Sequence, residues 1–123
     1  MLLYINDNKT VQDLKDRFSK CFPHLKLEIY RESDDGSKQC HKSNLIPSNV
    51  LIGYIRTGPS GILDIKSWDK TSKVKRELKE LFGLNVQIFR KYHDQWIPAT
   101  YSDELTLQQQ TELAKSNPVM EAQ

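Results

Sequence analysis

The chain has little that marks a secreted, membrane-spanning or catalytic protein. Only two cysteines occur, Cys21 and Cys40, where a small domain stapled by disulfides carries more. No apolar run approaches the roughly 18 residues that a membrane-spanning helix needs. The opening stretch MLLYINDNK has no basic flank and no apolar run of about seven, so it does not read as a secretory leader. The formal net charge is only +2, too small to point by itself to nucleic acid or an anionic membrane. Neither usual form of glycine-rich phosphate loop is present. These absences lead to the expectation of a cytoplasmic, reduced protein with no membrane partner and no cofactor.

What is present suits one folded domain. A chain of 123 residues predicts a single core and buries about two-thirds of its unfolded surface. Its 37% hydrophobic and 28% charged residues are ordinary for a soluble domain. The pattern also recurs. A displacement of 60 positions brings Leu3 and Ile5 onto Leu63 and Ile65, and Leu14, Phe18, Cys21 and Phe22 onto Val74, Leu78, Leu81 and Phe82. After a one-residue deletion, Leu27, Ile29, Tyr30 and Arg31 fall on Val86, Ile88, Phe89 and Arg90. Three blocks in one order imply a duplicated unit, with halves at about 1–55 and 61–113 and a weakly structured tail at 114–123.

Each half reads as strand, helix, strand, hairpin partner and short helix. LLYI and GILDI are short strands. Thr10 and Asp13 form a capping box for a helix that buries Leu14, Phe18, Cys21 and Phe22, and Pro23 ends it. In the second half Val74, Leu78, Leu81 and Phe82 face inward, with Gly83 as a left-handed cap. LKLEIYRES and LNVQIFRKY alternate as strands. DDGS and HDQ are turns, with KQCHKS and WIPAT as return strands. PSNVLIGYI, capped by Ser48, and TLQQQTELAK, capped by Thr106 with Leu107 and Leu113 inward, are short helices. RTGPSG is a joint too short to separate two domains. A strand–helix–strand unit closing right-handed places its strands parallel in one sheet. The expected fold is therefore α+β, a two-layer sandwich of two similar β-α-β(-β) units. It has a ferredoxin-like or related mixed sheet, with helices on one face. A β-grasp arrangement and two separate small sheets are the competitors.

The segment GLNVQIFRK (Gly83–Lys91), with Trp96, Thr100 and TLQQQ (Thr106–Gln110), resembles a group of short uncharacterised bacterial proteins of Bacteroidetes type. These carry a Gly-Leu-Asn-Val-Gln-Val-Phe-Arg-Lys strand and a Thr-Leu-Glu-Glu-Gln end. FPHLKLEIY (Phe22–Tyr30) is similar to the same group's first half. His24, Ile88 and Pro98 depart from its pattern. The resemblance implies a complete small protein and carries no known activity, so it assigns no functional residue.

The chemical candidates are weak beside their structural explanations. Cys21, His24, Cys40 and His41 are of metal-binding type, but Cys21 occupies the core position of Leu81, and Cys40 and His41 on a strand point to opposite faces. A nucleophilic Cys40 with His41 or His93 lacks an accompanying glycine loop. Asp34 and Asp35 suit a turn, and Asp103 and Glu104 suit a helix start. Eight cations between Lys66 and Lys91, against Asp69, Glu77 and Glu80, give that stretch +5. Lys75, Arg76 and Lys79 form an exposed basic patch that, with strand aromatics, offers single-stranded nucleic acid a surface. The interleaved Glu77 and Glu80 equally describe a solvated helix.

The preferred expectation is a non-enzymatic module that binds another protein through a sheet face or edge. The residues assigned to it are Tyr30, Phe89, Arg90, Lys91, Tyr92 and Trp96, of which the aromatics and Arg90 are types enriched at interface centres. Nucleic-acid binding is the alternative.

Overall fold

The computed structural model describes residues 1–32 and 42–116. The expected turn at Asp34–Gly36, the potential ligands Cys40 and His41, and the end of the tail lie outside them. The chain is α+β, with three α-helices and two antiparallel sheets among the described residues.

Strand β1 (Leu2–Ile5) leads to helix α1 (Val11–Cys21) and strand β2 (Leu25–Tyr30); strand β3 (Gly61–Asp64) leads to helix α2 (Thr71–Phe82) and strand β4 (Asn85–Tyr92). Strand β5 (Gln95–Pro98) and helix α3 (Leu107–Ser116) complete the chain. The strand pairing departs from the expected parallel crossover. β1 pairs with β3, and β2 with β4 and β4 with β5, all antiparallel. The rule of right-handed crossovers governs strands that enter one sheet. Here β1, β2 and β3 instead take their partners from the other half, and β4 pairs both with β2 and with its own hairpin partner β5. Leu3 lies opposite Leu63, and Glu28 opposite Gln87, so corresponding residues of the two halves meet at the centre of each sheet.

The helix starts show how the halves are closed. Thr10 Oγ1 accepts from the Asp13 amide at 3.1 Å and the Asp13 carboxylate accepts from the Thr10 amide at 2.9 Å, the expected capping box. The next orphan amides find backbone partners. Val11 and Gln12 donate to the carbonyls of Val50 and Ser48, both at 2.9 Å. In the second half Thr71 and Ser72 donate to Leu105 and Asp103 at 2.9 and 2.7 Å. The returning amides of Ile52 and Gly53 reach Lys9 and Asp7, as those of Leu107 and Gln108 reach Asp69 and Ser67. Donors and acceptors in the first half have counterparts 60 or 55 positions on. This closure explains why PSNVLIGYI is not a helix. Its carbonyls serve α1, and only Ile52–Tyr54 makes a 3₁₀ turn. Ser48 contributes its backbone carbonyl there and does not cap a helix. At α2, whose N-cap Lys70 makes no side-chain cap hydrogen bond, the same closure satisfies the first two amides.

One cluster joins both sheets and all three helices, from Leu3 and Ile5 through Phe18, Leu27, Ile52, Leu78 and Ile88 to Leu107. Three expected core positions are outside it. Cys21 is exposed and Leu81 is 47% exposed, because Phe22 and Phe82, one residue on, fill the end of each helical stripe. Leu113 is also exposed at 40%. α3 runs to Ser116, past the expected start of the tail at 114. Thr106 caps it with its own box, paired with Gln109. Lys42–Asn44, at the expected return strand, form a 3₁₀ turn, and Leu45 makes a single bridge to Tyr30.

The joint RTGPSG packs against the end of α2. The amides of Thr57 and Gly58 both donate to the Phe82 carbonyl at 3.2 Å, and Arg56 grips the Asp7 carboxylate and the Gly58 carbonyl. Gly83 caps α2 at φ +69°, where a Cβ would meet Thr57 Oγ1 at 1.7 Å and the Thr57 amide nitrogen at 2.9 Å. Gly83→Ala is therefore expected to lose about 2 kcal/mol, from left-handed strain plus overlap. Urea unfolding measures it, and removing the Thr57 side chain as well should restore only the overlap part.

Candidate functional site

The hairpin β4–β5 turns through His93 and Asp94, with His93 at φ 55°; Gln95, expected in the turn, already belongs to β5. Val86 and Ile88 are buried on the side where α2 packs. By alternation Phe89 and Lys91 point to the opposite side of the sheet. Register adds their neighbours: Trp96 lies across from Lys91, Pro98 across from Phe89, and Lys26 of β2 across from Phe89 on the other side.

These side chains form one cluster. Lys26 Nζ stands 5.2 Å from the Phe89 ring centroid and 5.4 Å from that of Trp96. Lys91 Nζ stands 4.9 Å from Trp96. Each contact is within cation–π range, worth about 0.5–1 kcal/mol at such sites. Phe89, Lys91 and Trp96 are all half-buried. Lys26 Nζ is also 3.5 Å from Glu28, whose other oxygen takes Lys15 at 2.7 Å. Lys26 was not among the expected residues. Alternation in LKLEIY places it outward, but only the register with β4 sets it beside Phe89.

Three expected members are elsewhere. Tyr30 is 7% exposed and lies across from Asn85, at the far end of β2 from Trp96. Arg90 turns to the helix side with Val86 and Ile88. Its guanidinium donates to Gln110 Oε1 at 2.7 Å and Ser102 Oγ at 3.3 Å. It braces α3 and is not part of the outer face. Tyr92 shares the side of Arg90 and meets His93 edge-on, centroids 4.4 Å apart.

The basic patch is matched by carboxylates. Lys75 pairs with Asp103 at 3.8 Å and Lys79 with Glu32 at 2.8 Å. Beside them Lys70 meets Glu104, and Lys73 meets Asp69 and Glu77. Arg76 is exposed and adds to the field that holds Glu104 down. Asp103 and Glu104 thus serve α2 across a tertiary contact. The Lys79 hydrogen bond lowers the Glu32 carboxyl, and those of Lys70 and Ser72 lower Glu104. With folded values below the ordinary 4.5, these pairs favour folding above that pH, and the contribution fades as pH falls through the lowered values. α2 and its cations lie on the opposite side of the sheet from Trp96.

The β5 edge of the sheet is less open than its face. In a hairpin with a two-residue loop the flanking pair exchanges both hydrogen bonds. Tyr92–Gln95 and Arg90–Ile97 are then the bonded pairs, and Trp96 and Pro98 direct their backbone outward. Pro98 has no N–H, so β5 offers an added strand a single donor, that of Trp96. Among the described residues no helix is long and apolar enough to cross a membrane, and no cluster of three or more His, Cys, Asp or Glu side chains has metal-binding geometry. No known protein family, curated protein or solved structure matches the chain.

Proposed function

We propose that the protein is a non-enzymatic cytoplasmic binding module that docks another protein against the outer face of β2–β4–β5. The observation that carries this reading is the half-exposed cluster of Lys26, Phe89, Lys91 and Trp96 on the side of the sheet turned away from the helices. Aromatic side chains in such a setting supply large contact area at low entropic cost. Docking uses the face, because Pro98 blocks most strand addition at β5. The recurring closure bonds support a duplicated origin for the two halves, and the binding cluster takes Phe89, Lys91 and Trp96 from the second and Lys26 from the first. At the position equivalent to Lys91 the first half has Glu32, and at that of Lys26 the second half has Asn85.

Single-stranded nucleic acid is the other reading, and it draws on less. Its two elements, the α2 cations and the strand aromatics, lie on opposite sides of the sheet.

The test compares proteins retained by the wild-type chain with those retained by Trp96→Ala and Phe89→Ala. Both variants are expected to keep the native circular dichroism spectrum and to lose one shared partner by at least about tenfold. Unchanged retention in both folded variants would remove the outer face as the binding site.

A further inference from the structure

We propose, building on the reading above, that the partner presents an acidic segment in which carboxylates bracket an apolar side chain. Two ammonium groups are gathered over one indole, that of Trp96. Among the described residues no carboxylate lies within ion-pair distance of Lys91, and Lys26 shares the single carboxylate of Glu28 with the closer Lys15. On α2 and at its start the same chain matches Lys70, Lys73, Lys75 and Lys79 with Glu104, Asp69, Asp103 and Glu32. The outer face therefore holds a surplus of positive charge that the fold neutralises elsewhere. An incoming carboxylate completes a stack of carboxylate, ammonium and ring, favoured by both Coulomb attraction and the ring quadrupole.

The geometry selects an acidic polypeptide over nucleic acid, although both are anionic. Base stacking needs open ring faces, and the lysine ammonium groups stand over Phe89 and Trp96. Lysine is also a point charge that does not stack on bases as a planar guanidinium does. Between the cations, the exposed parts of Phe89, Trp96 and Pro98 offer apolar contact. Specificity then comes from side chains laid across the face, since the β5 edge offers one outward N–H.

The test selects a random 12-residue peptide display library on the immobilised full chain. Selected peptides are then synthesised and assayed against wild type, Trp96→Ala and the double variant Lys26→Gln/Lys91→Gln. A parallel arm uses a 12-nucleotide oligothymidylate. The expected result is enrichment in Asp and Glu flanking apolar residues, with binding weakened at least tenfold in the lysine variant and by added salt. Should that variant fold poorly, amine acylation of the wild-type protein read by mass spectrometry gives the same answer. Bound peptide must protect Lys26 and Lys91. Peptides without acidic excess that still require Trp96 would overturn the acidic partner while leaving the protein-binding face intact. Peptides indifferent to Trp96 and both lysines, or no binding at all, would overturn both readings. Oligothymidylate that binds more tightly than any peptide and protects the two lysines would transfer the face to nucleic acid.

Discussion

Phe18→Ala is expected to lose about 3–5 kcal/mol of folding stability, a large share of the 5–15 kcal/mol typical of a domain. Phe18 is fully buried. It lies on the α1 stripe between Leu14 and Phe22, with its ring centroid 5.2 Å from that of Phe22 in a tilted pair. Its removal deletes the apolar area and leaves a cavity, because α1 is held at its start by the Thr10 box and by the carbonyls of Val50 and Ser48 and cannot slide to fill it. Urea unfolding at constant slope measures the loss. Cys21→Ala and Leu81→Ala are the matched controls. Both sit on the same helical stripes yet are exposed, and both should change stability by no more than about 0.5 kcal/mol. A cost for Leu81 equal to that of Phe18 would contradict the packing described.

The second large effect is at Gln110. This amide is fully buried and saturates its hydrogen-bonding capacity. Its Nε2 donates to the Ser102 carbonyl at 2.7 Å and to Thr71 Oγ1 at 3.2 Å, while Oε1 accepts from Arg90 at 2.7 Å. One side chain thereby joins α3, the turn at Thr100–Ser102, the start of α2 and the end of β4. Gln110→Met preserves volume and removes every polar contact. The Arg90 guanidinium, whose Nε is already buried without a partner, then keeps only Ser102. The expected cost is about 2–4 kcal/mol, that of stripping hydrogen bonds from a partly buried charge. The double variant Gln110→Met/Arg90→Met should recover part of it, since replacing both partners by apolar groups costs less than orphaning one. Double-mutant analysis by urea unfolding gives the coupling, and additivity of the two single losses would show that the network is not a unit.

Much of this architecture was legible in local chemistry. The capping box at Thr10, the stops at Pro23 and Gly83 and the alternation of β2 and β4 each follow from a few adjacent residues. Strand pairing was not legible. A strand whose inward face is Leu27 and Ile29 satisfies the same pattern whether its partner lies in its own half or the other. The edges of helical stripes were also ambiguous. Cys21 and Phe22 differ by one step around the helix, and only the width of the groove beneath decides that Phe22 fills it. For the site, alternation already placed Arg90 with Val86 and Ile88, so its inward role was implicit in the pattern. The contribution of Lys26 was hidden, because register alone brings it to Phe89 and Trp96 from the other half of the chain. The ion pairs that neutralise Lys75 and Lys79 were hidden for the same reason, their partners Asp103 and Glu32 being remote in sequence.

The exchange of strand partners between halves has a consequence for how the protein is made. Apart from the single bridge of Tyr30 to Leu45, no strand of the first half finds a strand partner among its own described residues. β1 must wait for β3, and β2 for β4. At about 5–20 residues per second, a ribosome needs on the order of 3–12 seconds to deliver those partners. During that interval Leu25–Tyr30 exposes three buried-type aliphatics and is held by α1 and, at its end, by the bridge to Leu45 and the Ile46 amide. The pairings of β1 with β3 and of β2 with β4 close long loops, unlike the local β4–β5 hairpin, and such long-range pairing slows folding. The nascent first half is thus the stretch that waits longest for its strand partners, and severing the joint at Gly58–Ser60 should yield a first piece that acquires sheet structure only when mixed with the second, which carries the β4–β5 hairpin within itself.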